Sequence, residues 1–459
     1  MLLKIFLEII SGWTDTFSQE RTYKRAVRHA VSSLCSMGRR TLSRSIAFSG
    51  RDQLDWSADY RLHSRSGWCL ASLFRPILKT ACELIDECYI AVAFDDTKLH
   101  KTGKHIKSAS WQRDPMSPPF NVNLIWGIRF LQATILLPLY RNENEAPPRS
   151  IPVQFTEVPC VKKPGKNPSE KDLQAYRIAK KERNLSTAFV RNLRYLRNEL
   201  DLQGLKEKTL LATVDGSFCN KVCFAYDVPR TEIIARARKD AKLCFKAPGE
   251  GRKYYSDESF TPEQVRQNES IEWQLVKVYH GGTWREVRCK EVKNVLWRTG
   301  SKRKSLRLIV IAPTPYRLSK KKRLYYRSPA YLLTTDLTAP TQLLMQKYFD
   351  RWQIEVNHRE EKDIVGVGQA QVRSDKSVPR QPAFVVASYS ALLLASVIAY
   401  KDTRSGNLKP LPKWRKSSKR PSCLDLVTQL RLEVADNSSA LDNFGIKTTA
   451  RDIIERSAA

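Results

Sequence analysis

Close cysteine pairs are missing from this sequence, although it contains ten cysteines. None of the ten belongs to a Cys-x-x-Cys pair. Cys219 and Cys223 have the i, i+4 spacing of a helix, but no histidine or second cysteine pair lies near enough to complete a zinc site. This absence argues against a zinc module and against a disulfide framework. We therefore expect buried, free thiols in a reducing cytosol.

Long apolar runs are also missing. No stretch reaches the roughly 18 consecutive apolar residues that a membrane-spanning helix needs. Residues 1–10 are apolar, but they lack the basic start and the small-residue cleavage site of a signal peptide. No internal repeat is visible. These absences predict a soluble, cytoplasmic protein.

Acidic residues are too few to balance the basic ones. The sequence of 459 residues has 79 Lys and Arg against 47 Asp and Glu, a formal net charge of +32. Such an excess repels itself unless an anion neutralises it, and basic residues from end to end favour a long polyanion over a small acidic substrate. A hydrophobic content of 42% supports folded cores, and this length predicts two to four compact units. Composition alone leaves ribosomal, RNA-binding and DNA-processing proteins open.

The two ends of the chain are basic and helical in pattern. In residues 1–85 we predict helices over 25–37, from Thr41 onward and within 65–86. A helical domain that binds DNA ends and a bundle with a solvated basic surface both fit the cations here, which are Arg21, Lys24, Arg25, Arg28, Arg39, Arg40, Arg44 and Arg51. Residues 403–459 are predicted to be a basic tail with a short helix near 423–434.

Two apolar runs predict buried strands that each end in an acid. Tyr89 to Phe94 leads into Asp95 and Asp96, and Thr209 to Val214 leads into Asp215. Neighbouring strands of a sheet lie about 5 Å apart, so acids at their ends can lie close together. Carboxylate oxygens suit Mg²⁺, and two such ions can activate an attacking oxygen and stabilise a leaving one. The signal is weak alone, because many α/β proteins place ordinary loop acids at strand ends.

The rest of the central region predicts an α/β protein with a β-rich insertion. Outside the two acid-bearing runs, strands are predicted at 120–130, 133–140 and 231–238, with a Pro-rich connection over 147–168 and a long basic helix from Ser169 to about 200. Residues 240–330 are basic and have strand-like runs at 271–280, 284–297 and 305–312. Residues 331–335 then predict a return to the main sheet. A helix beginning at Pro340 and an apolar helix over 382–400 follow.

The helix after Pro340 has two distinct faces. At 100° per residue, Tyr348, Arg351, Glu355 and Lys362 share one narrow polar face. A core stripe is predicted for Met345, Phe349, Trp352 and Val356. A solvated face with i, i+4 pairing explains the charges but not the tyrosine among them. An acid that binds metal, with flanking basic residues that bind phosphates, explains both the charges and the tyrosine.

This face resembles a known signature. Tyr348, Arg351, Glu355 and Lys362 have the Y-(2)-R-(3)-E-(6)-K spacing of IS4-type (IS4/IS701-like) DDE transposases. The run from Gly366 to Arg373 also resembles that family. Two further segments resemble those that carry the family's first and second catalytic acids, namely Asp95-Asp96-Thr97 and Thr213-Val214-Asp215-Gly216. The resemblance spans about residues 88–400.

The resemblance implies a fold and an activity. It implies an RNase H-like core in two parts, 86–239 and 331–402, interrupted by the insertion 240–330. It implies that Asp96, Asp215 and Glu355 are the catalytic residues and bind two Mg²⁺ ions, for which Mn²⁺ can substitute. The family pattern places the catalytic acid directly before Thr, which favours Asp96 over Asp95. The implied reaction is cleavage at transposon ends to free a 3′-OH, which then attacks target DNA.

The resemblance also implies DNA contacts. A prokaryotic, nucleoid-associated homodimer would pair two ends of double-stranded DNA. Predicted DNA-binding residues are Tyr348, Arg351, Lys362, Trp352, Lys321, Lys322, Arg323, Arg415 and Lys416. Trp297, Tyr325 and Tyr326 are weaker candidates for stacking on a displaced base. An RNase H-like nuclease without strand transfer and an inactive descendant that only binds DNA remain as alternatives.

Overall fold

The computed structural model describes residues 1–114, 117–118, 120–138, 147–249, 252–319, 322–401, 403–404, 408, 410–414 and 420–447. The chain divides into two compact units. The first unit comprises Met1–Asp86, Asp96–Asn184 and Ile354–Ala459, and the second comprises Glu87–Asp95 and Leu185–Gln353. Each unit combines helices with a sheet, so the predicted α/β class is confirmed.

The first 85 residues of the first unit are helical, as predicted. Their helices are α1 Leu2–Ser11, α2 Glu20–Cys35, α3 Leu42–Phe48, α4 Ser57–Ser64 and α5 Leu70–Glu83. Thr41 caps α3 by accepting the Arg44 backbone N–H at 3.2 Å. Two of the arginines counted toward a basic surface, Arg28 and Arg40, are only 8% and 9% exposed. Those two side chains therefore belong to the interior of this unit.

The strands of the first unit differ from the predicted ones in two ways. β1 is Tyr89–His100, β2 is Ser110–Arg113, β3 is Leu124–Leu137 and β4 is Arg149–Val158. The two strands predicted over 120–130 and 133–140 are one continuous strand within the described residues. The predicted Pro-rich connection contains β4, whose Pro152 lies opposite Thr134 where the pairing with β3 shifts register. Proline is tolerated there because β4 pairs with β3 as an edge strand.

The predicted long helix after Ser169 is two helices. α6 is Glu170–Glu182 and α7 is Leu185–Leu202, the second of which belongs to the second unit. A reciprocal capping box between Ser169 and Asp172 starts α6, as the sequence predicted. Arg183 ends it, which the uninterrupted helical pattern did not reveal.

A buried helix organises the core of the first unit. This helix, Ser377–Tyr400, packs against α1, α2, α5 and β4. It is long and apolar enough to span a membrane, with mean hydropathy 2.0, but 89% of its apolar window is buried inside the protein. Core helices of soluble proteins pass the same test of length and hydropathy. A count of consecutive apolar residues did not find this helix, because serines interrupt its apolar residues. The predicted C-terminal helix is present as Cys423–Asp436, followed by Ser438–Asp442.

Seven paired strands run through the second unit, and only residues 89–95 of β1 belong to it. In the sheet their order is β1, β5 Thr209–Val214, β6 Thr231–Arg236, β12 Ala330–Thr334, β9 Ser305–Ile311, β8 Thr283–Leu296 and β7 Gln274–His280. The first three strands are parallel, and the remaining pairs are antiparallel. The strands predicted within 240–330 are present, and β9 pairs with β12, so they extend this sheet. β10 Pro315–Tyr316 and β11 Tyr325–Tyr326 form a small separate pair.

One helix covers the centre of this sheet. The short helices α8 Lys221–Phe224 and α9 Pro262–Gln267 precede it, and α10 is Thr341–Asp350. α10 packs on β5, β6 and β7. Its buried side chains join a hydrophobic core made of Leu211, Ile234, Val278, Val287, Cys289, Ile309, Ile311, Leu332, Ala339, Leu344 and Met345. This packing fixes the start of the helical run that carries the predicted signature.

The helical run from Thr341 is interrupted, although the sequence predicted one helix. α10 ends at Asp350, α11 is Trp352–Glu360, and a π-helical turn covers Glu361–Val365. At the break, the Arg351 N–H donates to the Tyr348 carbonyl at 3.2 Å, an i→i+3 bond that winds the chain more tightly than an α-helix. This tightening rotates the following residues. The predicted core stripe is therefore wrong at Trp352, which is 60% exposed.

The exposure of Trp352 gives a stability test. We expect Trp352→Ala to change the free energy of unfolding by less than about 0.5 kcal/mol, because little of its surface leaves water on folding. Ile354→Ala, at a fully buried side chain two positions later, should cost about 2–5 kcal/mol. Urea unfolding midpoints of the two variants check this. The predicted stripe requires the opposite ranking.

The cysteines of the structure agree with the prediction of free thiols. All ten cysteines are unbridged. Six of them are buried, namely Cys35, Cys82, Cys223, Cys244, Cys289 and Cys423. Burial raises the pKa of the Cys219 and Cys223 thiols to about 12, so both stay protonated at neutral pH.

Candidate active site

The predicted acids fall in different units of the chain. Asp215 belongs to the second unit, and Asp96 and Glu355 belong to the first. All three are partly buried, which suits groups that must reach a substrate.

Asp215 is held at the carboxyl end of β5 by its own loop. Its side chain caps the 3₁₀ turn Gly216–Phe218, where Oδ1 accepts the Ser217 N–H at 3.0 Å and the Ser217 hydroxyl at 2.6 Å. Asn220 then caps α8 and donates to the Ser186 hydroxyl at 2.9 Å. Both bonds to Asp215 use the same oxygen, so the turn does not need Oδ2. The carboxylate is thereby fixed while retaining capacity for another partner.

Two members of the predicted signature, Tyr348 and Arg351, belong to the same unit as Asp215. Burial raises the pKa of Tyr348, the charges of Arg351 and Arg236 partly oppose that effect, and the charge of Asp215 adds to it. The phenol therefore stays protonated at neutral pH. Tyr348 is thus within electrostatic reach of Arg351, Arg236 and Asp215.

Arg236 was missed by the sequence reasoning. It is exposed at the end of β6, next to β5. The parallel register pairs Val214 with Ala235, which places residue 236 level with Asp215. The two strands had been predicted, and aligning their ends would have identified this cation.

Asp95 belongs to the same group. The parallel register pairs Ala93 with Thr213, so residue 95 lies level with Asp215 on the adjacent strand. An Asp95 carboxylate oxygen is 4.0 Å from Nη1 of Arg351. We call Tyr348 and four charged residues, Asp95, Asp215, Arg236 and Arg351, the Tyr348 cluster, because the strand register, one ion pair and the charges acting on Tyr348 connect them.

Asp96 faces a different arginine, within the first unit. Its Oδ2 lies 3.2 Å from Nε of Arg129 on β3. Burial lowers the pKa of nearby Lys98, with the charge of Arg129 acting in the same direction. Asp96 was predicted to follow a strand, but β1 continues to His100. Because side chains alternate along a strand, Asp95 and Asp96 point to opposite faces.

Glu355 lies on α11, and a buried polar network anchors this helix. Asn357 donates to the Tyr389 hydroxyl at 3.0 Å and to the Ser150 carbonyl at 3.3 Å. The Tyr389 hydroxyl in turn donates to Glu360 at 2.6 Å. Burial raises the pKa of Tyr389, so it remains a donor. The sequence did not indicate these partners, because Tyr389 lies on another helix 32 positions away and Ser150 lies on β4.

Lys362 lies in the π-helical turn that follows α11. Such turns are rare and are frequently found at functional sites. The turn ends at Gly366, whose φ of +76° favours glycine and whose Cβ position would clash with the Arg40 side chain. The run from Gly366 to Arg373 is then tied down, because Gln369 accepts the Arg40 N–H at 2.7 Å and Gln371 accepts the Thr102 N–H at 3.1 Å. The structure therefore holds this family-like run in one conformation.

The other residues predicted to contact DNA differ in their exposure to solvent. Lys322, Arg323, Tyr325 and Tyr326 are exposed. Trp297 is partly buried and packs edge-on against Phe224 with ring centroids 5.9 Å apart, which favours a structural role. Predictions for Lys321, Arg415 and Lys416 lie outside the described residues.

The donor types suit a divalent cation. Asp96, Asp215 and Glu355 offer carboxylate oxygens, which are the ligands that Mg²⁺ prefers. In the part of the chain that the structure describes, no group of three or more His, Cys, Asp or Glu side chains is gathered closely enough to hold a metal ion. The fit therefore rests on ligand chemistry and on the fixed position of Asp215.

Comparison with known proteins leaves the family unassigned. No protein-family model matches the chain, and no curated protein matches it at a significant level.

Proposed function

We propose that this protein is a cut-and-paste DNA transposase of the DDE type with an RNase H-like core. The observation that carries the proposal is the Tyr348, Arg351, Glu355, Lys362 spacing, supported by the electrostatic effect of Arg351 and Asp215 on Tyr348 in the second unit. Parallel strands β1, β5 and β6 with acids on two of them are consistent with such a core. The net charge of +32 suits a DNA substrate.

In this proposal the three acids and the basic residues have different roles. The resemblance assigns two Mg²⁺ ions, or Mn²⁺ in their place, to Asp96, Asp215 and Glu355, although the strand register sets Asp95 rather than Asp96 level with Asp215. When bound, the ions supply Lewis-acid stabilisation of the attacking and leaving oxygens of the phosphodiester. Asp95 is assigned to Arg351, whose position it stabilises from 4.0 Å.

The bases of the Tyr348 cluster bind the DNA backbone. Arg236 is exposed, and Arg351 is a planar donor that suits bidentate contact with phosphate oxygens. The protonated Tyr348 hydroxyl adds a neutral donor. Lys362 contributes a further cation from the π-helical turn that directly follows α11. Such contacts position the scissile phosphate without reading sequence.

The partner in this proposal is double-stranded DNA, both as transposon ends and as target. A homodimer pairs the two ends, in a prokaryotic cytoplasm and on the nucleoid. The exposed Trp352 lies next to Arg351 and offers a flat surface for DNA contact.

A joining assay tests the function. The full chain, Mg²⁺, a linear fragment containing its own gene with flanking DNA, and a supercoiled target plasmid are incubated together. We expect cleavage at inverted repeats that flank the gene and products in which those ends are covalently joined to the plasmid. A parallel reaction with EDTA is the control and should show neither product.

Two other results would replace the proposal. Cleavage without joined products indicates an RNase H-like nuclease. Tight binding to the flanking DNA without cleavage, in both Mg²⁺ and Mn²⁺, indicates an inactive descendant that binds DNA.

A further inference from the structure

A basic turn in the second unit is held by two tyrosines. The turn joins β8 to β9, and residues 297–304 contain four cations and no acid. The Tyr254 hydroxyl donates to the Arg303 carbonyl at 3.0 Å, and the Tyr255 hydroxyl donates to the Lys302 carbonyl at 2.9 Å. Lys302 has a φ of +55°, a conformation that non-glycine residues adopt rarely. The two hydrogen bonds therefore stabilise one particular shape of this turn.

The same tyrosine rings support the arginine side chains. The Arg298 guanidinium lies 5.2 Å from the Tyr255 ring centroid, and the Arg303 guanidinium lies 4.9 Å from that of Tyr254. Arg298 also donates to the Ser256 carbonyl at 3.1 Å. These contacts already restrict the rotamers of two long side chains. Less conformational entropy is therefore lost when the two arginines bind a ligand.

The two arginines form no ion pair in the ranges that the structure describes. The hydrogen bond and charge of Lys253, at 2.9 Å, lower the pKa of nearby Asp257, and the charge of Arg298 adds to that effect without forming an ion pair. Both arginines and Lys302 are exposed. A guanidinium has five N–H donors, so each arginine retains donors for an anion after its contacts within the protein.

We propose that Arg298 and Arg303, supported by Tyr254 and Tyr255, form a preorganised site for the phosphates of double-stranded DNA. We call these four residues the arginine platform. The identification of the ligand as DNA rests on the proposed function. Since the guanidinium groups cover the rings, the platform offers donors for phosphate oxygens and no bare aromatic face for a base. It therefore binds duplex DNA irrespective of sequence.

The chemistry favours a polyanion over an acidic protein. The platform presents fixed donors and charge without an exposed apolar pocket of its own, and interfaces between proteins depend on buried apolar anchors. Phosphates at regular spacing along a duplex can reach several cations at once. Lys246, 5.9 Å from the Tyr254 ring, extends the same positive surface.

Salt dependence of binding is the test. The full chain is titrated with a duplex of arbitrary sequence in EDTA, and fluorescence anisotropy is measured from 50 to 300 mM NaCl, a range that spans physiological salt. For Arg298→Ala/Arg303→Ala, we expect the slope of log K against log salt to fall in magnitude by about 2. At 0.1 M salt the affinity should fall on the order of 50-fold.

Two further variants separate charge from preorganisation. Arg298→Lys/Arg303→Lys keeps both charges, so the slope should stay while the affinity falls several-fold, because lysine lacks the planar donor set. Lys171→Ala/Lys180→Ala removes two exposed cations from α6 and is the matched control. Circular dichroism must show the same thermal midpoint for all variants, and the lysine pair remains informative if the alanine pair does not fold.

The outcomes distinguish this site from the proposed function. If Arg298→Ala/Arg303→Ala lowers the slope no more than the α6 control, the arginine platform is not a DNA site, whether or not the protein cuts DNA. If the slope falls as expected but the joining assay shows no cleavage, the platform stands and the transposase proposal fails. Weakened binding to anionic lipid vesicles with unchanged binding to DNA would indicate a surface for anionic membranes instead.

Discussion

Glu355→Gln is expected to abolish Mg²⁺-dependent cleavage of flanking DNA while leaving the protein folded and able to bind that DNA. Glutamine has the size of glutamate but no charge, and it is a poor ligand for a hard cation. Loss of one ligand removes several kcal/mol of stabilisation from the transition state, and each 1.36 kcal/mol is tenfold in rate. We therefore expect a loss of at least about 1,000-fold in the single-turnover cleavage rate.

The control for this variant is another acid of the same helical run. Asp363→Asn removes an exposed carboxylate eight positions later and should keep cleavage within a few-fold of the unchanged protein. DNA binding in EDTA should be equal in both variants, because no metal is present. Cleavage by Glu355→Gln at more than a tenth of the normal rate would remove Glu355 from the metal site.

The Tyr348 cluster changes how the signature is understood. The sequence presented Tyr348, Arg351, Glu355 and Lys362 as one face of an ideal helix. The structure breaks that helix at Arg351 and adds a π-helical turn at Glu361–Val365. Arg351 instead lies 4.0 Å from Asp95 on the sheet of the second unit. Spacing in the sequence was therefore a poor guide to the elements that hold these residues.

Local signals predicted those parts of the fold that depend on neighbouring residues. β5 was predicted within its observed bounds because the segment from Thr209 to Val214 consists of four apolar residues and two threonines, a composition typical of strands. The capping box at Ser169 correctly gave the start of α6. β4 was missed because its proline suggested a loop, and only the pairing partner β3 shows that an edge position tolerates it.

Side-chain partners from distant segments could not be predicted. The network of Asn357, Tyr389 and Glu360 lies beneath α11, but nothing in the sequence pairs an asparagine with a particular tyrosine 32 positions away. Arg28 is a similar case. It was counted among surface cations, whereas it is buried and bound to Asp59 at 2.7 Å. A count of charges does not reveal which of them folding removes from water.

Asp59→Asn is expected to destabilise the first unit by about 3–5 kcal/mol, because Asp59 is the shared partner of the buried Arg28 and of the partly buried Arg25 and Arg51. Its side chain is 1% exposed. Oδ1 accepts from Arg28 at 2.7 Å and lies 3.0 Å from Nε2 of His29. Arg25 and Arg51 approach the same carboxylate at 3.9 and 3.8 Å. Removal of the negative charge leaves Arg28 and its neighbours without compensation in a buried position.

The pH dependence of that loss follows from the same contacts. Burial acts to raise the pKa of the Asp59 carboxyl, but the hydrogen bonds and charges of His29 and Arg28 outweigh it and hold the pKa well below its ordinary value of 3.8. A depressed pKa in the folded state means that this carboxylate stabilises the fold fully above pH 3.8, and that its contribution is lost as the pH falls toward the folded-state pKa. The deficit of Asp59→Asn should therefore be large at pH 7 and smaller at about pH 3.

Urea unfolding at both pH values, with hydrogen exchange in α2 and α4, measures this effect. Asp52→Asn, an exposed acid just before α4, is the matched control and should change stability by less than about 0.5 kcal/mol. Exchange should rise in α2 and α4 of the Asp59 variant, since Asp59 joins these two helices through Arg28 and His29. A deficit equal to that of Asp52→Asn at pH 7 would mean that the arginines relax into solvent without cost. The basic N-terminal helices would then be held together by their apolar contacts alone, and Arg28 would return to the cations available for DNA.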